Sequence, residues 1–185
     1  MINDIKEYIL ENQPRFLNEL ADLLRIPSVS TAPEHKADVA ACADFVANHI
    51  RAIGIEDVTV FPTNGHPIVY AEYKCSRADA PTVLFYGHYD VQPVDPLNLW
   101  TNPPFEPTFR DDKIFAIDAT DDKGQIFLHI KSLEAHLKVR GELPVNVKLL
   151  LEGEEEVGSI HLEEFIRTHT DLLRCDTVVI SDTPI

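Results

Sequence analysis

Three apolar runs in this chain each end in charge, and that repetition limits the fold more than any other feature of the sequence. Thr82-Val83-Leu84-Phe85-Tyr86 is entered through Pro81 and left at Gly87-His88-Tyr89-Asp90. Val145-Asn146-Val147-Lys148-Leu149-Leu150-Leu151 leads into Glu152-Gly153-Glu154-Glu155-Glu156, and Asp176-Thr177-Val178-Val179-Ile180 delivers Ser181-Asp182. Runs of this length, bounded by Gly or Pro and rich in β-branched or aliphatic residues, predict buried strands. Helical patterns lie between them, so the chain is predicted to be an α/β domain whose sheet is at least partly parallel. Open α/β sheets bind ligands outside the C-terminal ends of their strands, which is where each run places its polar residues.

Around those strands, Ile5, Tyr8, Ile9, Phe16, Leu17, Leu20 and Leu24 recur at helical spacing, with Pro14 either kinking or restarting the helix. A second helix is predicted from about Lys36 to Ile53, with Gly54 in the place of a C-terminal cap glycine. Asp57–Phe61 and Ile68–Lys74 read as strands joined through a turn at Asn64-Gly65. A polar, proline-rich loop from Pro93 to Pro107 carries Trp100, and Ile114-Phe115-Ala116 forms a short strand. Asp121-Asp122-Lys123-Gly124 opens a helix running through Ile126, Phe127, Ile130, Leu133 and Leu137, and a last helix covers about Ser159 to Thr168.

His88 and Asp90 lie two residues apart in extended chain and so face the same side. A carboxylate there can orient an imidazole that binds metal through its other nitrogen. If the strands are parallel neighbours, Glu155, Glu156 and Asp182 converge with them, and Asp121 enters from the helix start. Carboxylates gathered this closely repel one another unless protons or cations neutralise them. Oxygen donors with one imidazole suit zinc, manganese or cobalt, and two ions could share a bridging carboxylate. Each piece also has a plainer reading: a solvated strand end at His88 and Asp90, dipole complementarity at Asp121 and Asp122, and a solvated acidic loop at 154–156.

The charge balance agrees with bound cations and opposes polyanionic partners. With 31 acidic against 16 basic residues, the formal charge of −15 argues against nucleic acid or an anionic membrane surface. The apolar stretches are of strand length, and Met1-Ile2-Asn3-Asp4 has neither the basic start nor the apolar core of a signal peptide, so a cytoplasmic protein is expected. Cys42, Cys75 and Cys175 are too scattered for a disulfide framework or a thiolate zinc site and are expected to be small apolar fillers.

Taken together, Gly87–Pro93, Trp100 with Pro104-Phe105, Ala119–Gly124, Glu152–Ser159 and Ile180–Asp182 resemble the di-metal peptidases. These include carnosinase-like dipeptidases, aminoacylases, glutamate carboxypeptidases and succinyl-diaminopimelate desuccinylase, and Gln92-Pro93 and the Trp100 loop look most like the dipeptidase branch. The resemblance implies a three-layer α-β-α domain with a mixed, partly parallel sheet. It implies two zinc ions per complete site, with manganese or cobalt as substitutes. His88 and Asp182 would bind one ion, Asp121 would bridge both and Glu156 would bind the second. Asp90 would orient His88, and Glu155 would be the general base toward a metal-bridging water, with short peptides or N-acyl amino acids as substrates. It further implies that residues 1–185 are the N-terminal part of a catalytic domain, without the lid and dimerisation domain, the C-terminal part and a last histidine ligand. Little activity is then expected of this stretch alone, and a homodimer is expected of the complete form.

The pattern breaks before Asp121, where the family's Tyr-Gly-Arg-Gly becomes Phe115-Ala116-Ile117-Asp118. Asp118 is expected to face solvent rather than to add a ligand. His35, His129, His136, His161 and His169 are expected on the surface or at its boundary, His49 half-exposed on its helix, and His66 carries no assignment. A di-metal phosphoesterase is disfavoured because no basic phosphate-binding cluster or Gly-rich loop accompanies the carboxylates. A metal-binding or interaction module without catalysis is the reading that Ala116–Asp118 favours.

Overall fold

The computed structural model describes residues 2–183, so the expected domain end at Ile185 lies outside the described residues. The elements are α1 (Ile2–Leu24), α2 (Lys36–Ala52), β1 (Asp57–Phe61), β2 (Ile68–Tyr73), β3 (Thr82–His88), β4 (Thr108–Arg110), β5 (Lys113–Phe115), α3 (Lys123–Arg140), β6 (Asn146–Glu152), α4 (Leu162–Thr168) and β7 (Thr177–Ile180). The main sheet has the order β1-β2-β6-β3-β7. β1 with β2 and β2 with β6 are antiparallel, whereas β3 pairs parallel with both β6 and β7. The β3–β6 register runs from Thr82 opposite Asn146 to His88 opposite Glu152, so the two strands end flush. All three polar strand ends therefore emerge on one rim of the sheet.

Alternation along the strands divides the core. Val69 and Ala71 of β2 and Val147, Leu149 and Leu151 of β6 face a large cluster with α1, α2 and α3. Their neighbours Ile68 and Leu150, with Leu84 of β3, pack on the opposite face against Phe165 of α4. Side chains two apart share a face, so one strand serves both layers, and the expected α-β-α layering is present.

Several local expectations differ in detail. Pro14 lies inside one unbroken α1, whose Phe16, Leu23 and Leu24 are buried in the shared core. Packing of that face outweighs the donor lost at proline. Gly54 has φ +109, as its cap position requires. Residues 108–110 form a strand that the sequence pattern did not reveal, paired with β5 in a separate hairpin. The last helix starts at Leu162 rather than Ser159, because Glu155–Val157 first forms a 3₁₀ turn and Ser159 has a left-handed φ of +53. β7 forms an edge of the sheet, and its Val178 and Ile180 are 53% and 58% exposed. No helix among the described residues is long and apolar enough to cross a membrane.

Candidate metal centre

The centre is built where β3 ends. A Cβ at Gly87 would lie 2.3 Å from Ile126 Cγ2 and 2.4 Å from Asp122 Oδ2, so glycine is what admits the start of α3 this close to the strand. Asp122 Oδ2 accepts the His88 backbone N–H at 3.1 Å. Gly124 makes a second close approach, since a Cβ there would lie 1.9 Å from the Ala119 carbonyl oxygen. The α3 start is pinned from the other side by buried Lys123, whose Nζ donates to the carbonyls of Leu23 at 3.3 Å and Ile26 at 2.7 Å.

His88 is fully buried. Its Nδ1 lies 3.1 Å from the Asp90 main-chain oxygen and 3.4 Å from Asp90 Oδ1, which fixes the ring. Its Nε2 is buried with no hydrogen-bond partner. Around that nitrogen stand Asp121 Oδ1 at 3.3 Å, Asp182 Oδ2 at 3.8 Å and Glu155 Oε2 at 3.9 Å. Burial pulls the His88 pKa down, but the Asp90 carboxylate, with Asp122 and Glu155, overrides it and carries the ring to about 10. A cation in the centre would compete with that proton.

Ligand atoms within 4.8 Å of one another form two groups here, His88 with Asp121 and Asp182, and His88 with Glu155 and Glu156. The structure thus brings together all the predicted metal candidates, and Asp90 beside them. Asp90, fully buried, does more than orient the histidine. Its two carboxylate oxygens accept the backbone N–H groups of Glu155 at 3.2 Å and Glu156 at 3.1 Å, holding the acidic turn against the histidine strand. Gln92 Nε2 donates to Glu156 Oε2 at 2.7 Å, and burial raises the Glu156 carboxyl above its ordinary pKa. Sequence reasoning gave Gln92 no task; its place four residues after His88 was the available signal. Glu152, at the end of β6, accepts from Tyr86 OH and from Ser159 Oγ at 2.8 Å.

The donor set fits a divalent cation. Several carboxylates converge on one buried, unpartnered imidazole nitrogen, His88 Nε2, and among the described residues no lysine or arginine makes an ion pair with Asp121, Glu155, Glu156 or Asp182. This combination of oxygen and nitrogen donors suits zinc, manganese or cobalt.

Two expectations are corrected. Asp118 does not face solvent: its Oδ2 is buried without a hydrogen-bond partner, and burial, opposed by Lys123, lifts its pKa to about 8. Its φ of +51 is the left-handed conformation that glycine adopts without strain. His161 is no simple surface residue, because its Nδ1 lies 2.8 Å from Glu154 Oε2. His129 is half-buried against Phe85, with Nε2 2.7 Å from Ser181 Oγ. His49 has a buried Nε2 without a hydrogen-bond partner, 3.7 Å from Glu19 Oε2 in a third histidine–carboxylate group with Glu134. His66 Nε2 lies 3.1 Å from the Ser30 carbonyl oxygen.

Known proteins resemble this chain in sequence and in fold. The model of peptidase family M20/M25/M40 matches residues 84–185. The chain is 33% identical to Cys-Gly metallodipeptidase dug1 of Schizosaccharomyces pombe, over 98% of this chain and 40% of that protein. It is 31% identical to the Beta-Ala-His dipeptidase of Homo sapiens, over 98% of this chain and 38% of the relative. The structure of the di-peptidase Dug1p from Saccharomyces cerevisiae superimposes with a TM-score of 0.91 at 28% identity, covering 99% of this chain and 41% of that one. Human carnosine dipeptidase 1 gives a TM-score of 0.91 at 30% identity, with the same coverage of 99% and 41%. The chain therefore spans about 40% of the length of the curated relatives it matches.

Proposed function

Because the chain belongs to peptidase family M20/M25/M40, we propose that it furnishes the metal centre of a metallopeptidase that hydrolyses dipeptides or N-acyl amino acids. The observation that carries this reading is the buried, unpartnered His88 Nε2 facing Asp121, Asp182 and Glu155. His88 and Asp182 would hold one cation, Asp121 would bridge, and Glu156 would hold a second; zinc is the first choice. Such cations polarise the scissile carbonyl and ease ionisation of the attacking water. Glu155 would take the proton from the attacking water and deliver it to the leaving amine. Asp90 keeps both players in register, since one carboxylate touches the histidine ring and the backbone of Glu155 and Glu156. Gln92 fixes the Glu156 carboxylate.

The test is zinc binding by calorimetry together with release of amino acids from Cys-Gly and β-Ala-His. Wild-type protein should bind zinc and His88→Ala should not. Glu155→Gln should keep the cations and lose any turnover. Turnover that survives Glu155→Gln would remove Glu155 as the base, and zinc binding that survives His88→Ala would move the centre elsewhere. A cation-binding module without turnover is the second reading, favoured by Asp118 in the segment before Asp121. Assayed in the full-length protein, it predicts zinc binding with no hydrolysis in either the wild type or Glu155→Gln.

A further inference from the structure

The run Glu154-Glu155-Glu156 contains one carboxylate that the metal centre does not use. Glu154 is 6% exposed, and its two oxygens lie 2.8 and 3.1 Å from His161 Nδ1. The His161 backbone N–H, at the entry to α4, donates to the same carboxylate at 3.3 Å. Gly65 of the β1–β2 turn sits directly on this pair: a Cβ there would lie 1.8 Å from Glu154 Oε1 and 2.7 Å from His161 Nδ1. The turn is itself braced, with Gly65 N–H donating to Thr63 Oγ1 at 2.9 Å and Thr63 Oγ1 donating to the His66 carbonyl at 2.7 Å. Meanwhile the Glu154 main-chain oxygen accepts from Val157 N–H at 3.2 Å and Ser159 N–H at 2.7 Å. Glu154 thus closes the 3₁₀ turn that carries Glu155 and Glu156, and its side chain ties that turn to α4.

We propose that Glu154 and His161 are a positioning pair that fixes the outer side of this turn, as Asp90 fixes its inner side, and so sets how closely Glu155 and Glu156 approach His88. This rests on the metal-centre reading above. With the inner clamp alone, the turn can pivot about the two N–H bonds to Asp90, and ligand carboxylates tolerate little displacement. Groups that orient metal ligands typically change affinity by about 10–100-fold when removed. A purely local role, capping the seven-residue α4, would leave the metal centre unaffected.

Cobalt(II) separates these outcomes, because its visible absorption reports ligand geometry and its titration reports affinity. Glu154→Ala should weaken cobalt binding by about 10-fold and alter the spectrum of the cobalt-loaded protein, as should His161→Ala. The double variant should be no worse than either single one. Glu154→Gln, which keeps an acceptor for His161, should restore most of the affinity. Ile166→Gly, on the exposed side of α4, serves as the control that weakens the helix without touching the pair. Its melting temperature should fall while cobalt affinity stays at the wild-type value. Unchanged cobalt affinity and spectrum in Glu154→Ala would overturn the positioning role. A wild-type protein that bound no cobalt, or a His88→Ala variant that bound it equally well, would overturn the metal-centre reading and this role with it.

Discussion

The strand-end centre and a cluster between three helices both set a histidine against carboxylates, and they differ in the source of the compensating positive charge. Between α1, α2 and α3, His49 stands beside Glu19 and Glu134. There Lys131 Nζ lies 2.7 Å from Glu134 and also pairs with Glu19, while Arg15 bonds both carboxylates. At the strand ends, His88 stands beside Asp121, Asp182 and Glu155, and no lysine or arginine among the described residues pairs with them. Glu134 on one side and Glu156 and Asp118 on the other also titrate in opposite directions. Burial raises Glu134, but Arg15 and Lys131 outweigh it and leave the carboxyl below its ordinary value. Burial raises Glu156 and Asp118, and their few polar or charged helpers do not reverse it. The two clusters thus share a ligand-like geometry and differ in whether lysine and arginine side chains neutralise their carboxylates.

The contrast is broken most directly by removing a cation from the helix cluster. Lys131→Met should cost about 3 kcal/mol of unfolding free energy, since it leaves buried carboxylates short of a partner. Chemical denaturation checks this, and zinc should not restore the loss. Full recovery with zinc would make the two clusters equivalent. Next in size, His88→Ala should weaken zinc binding by more than about 100-fold, whereas His49→Ala should leave zinc affinity unchanged, both read by calorimetry. Asp90→Asn should cost about 10–100-fold in zinc affinity, because it disturbs the histidine ring and the acidic turn together.

The smallest effect sharpens the contrast through pH. A carboxyl whose folded pKa is raised binds its proton more tightly in the native state, so its contribution to stability is greatest below the unfolded value and declines as pH rises. For Asp118 that window runs from the ordinary carboxyl value of 3.8 to about 8. Glu134, shifted down, works in the opposite sense: its contribution is present above its unfolded value of 4.5 and is lost as pH falls. Asp118→Gly removes the buried carboxylate and the left-handed strain, so it should stabilise the cation-free protein by about 1 kcal/mol. Melting curves should show a larger gain at pH 8 than at pH 5. An equal gain at both would assign the whole effect to the backbone.

What the sequence made legible was local. The strands that become β3, β6 and β7 announce themselves by composition, and His88, Asp90, Asp121, Glu155, Glu156 and Asp182 sit at fixed offsets from them. Partnerships across the sheet were not legible, because side-chain type does not reveal a neighbour many residues away. Gln92 meets Glu156, Asp122 meets the His88 backbone, and Glu154 lies against Gly65 and His161. His161 looked superficial because its helix is short and polar, and Asp118 because an isolated aspartate in a loop usually is solvated. The positive φ at Asp118 is a backbone angle that residue type alone does not forecast. Lys131 escaped notice for a related reason: a lysine on an amphipathic helix is ordinarily exposed, yet here it is 5% exposed among three helices.

The flush parallel pairing of β3 with β6 also bears on how the protein comes to be. Thr82 pairs with Asn146 and His88 with Glu152, so every rung of that ladder spans 64 positions of chain. Contacts this distant form slowly, since loop-closure entropy must be overcome before pairing rewards it. Nothing local brings His88 near Glu155 or Asp182; only the finished ladders of β3 with β6 and β7 do. If the proposed centre binds a cation, the moment of its first capture in refolding would mark closure of the sheet, and the cation would stabilise only chains that had already passed it.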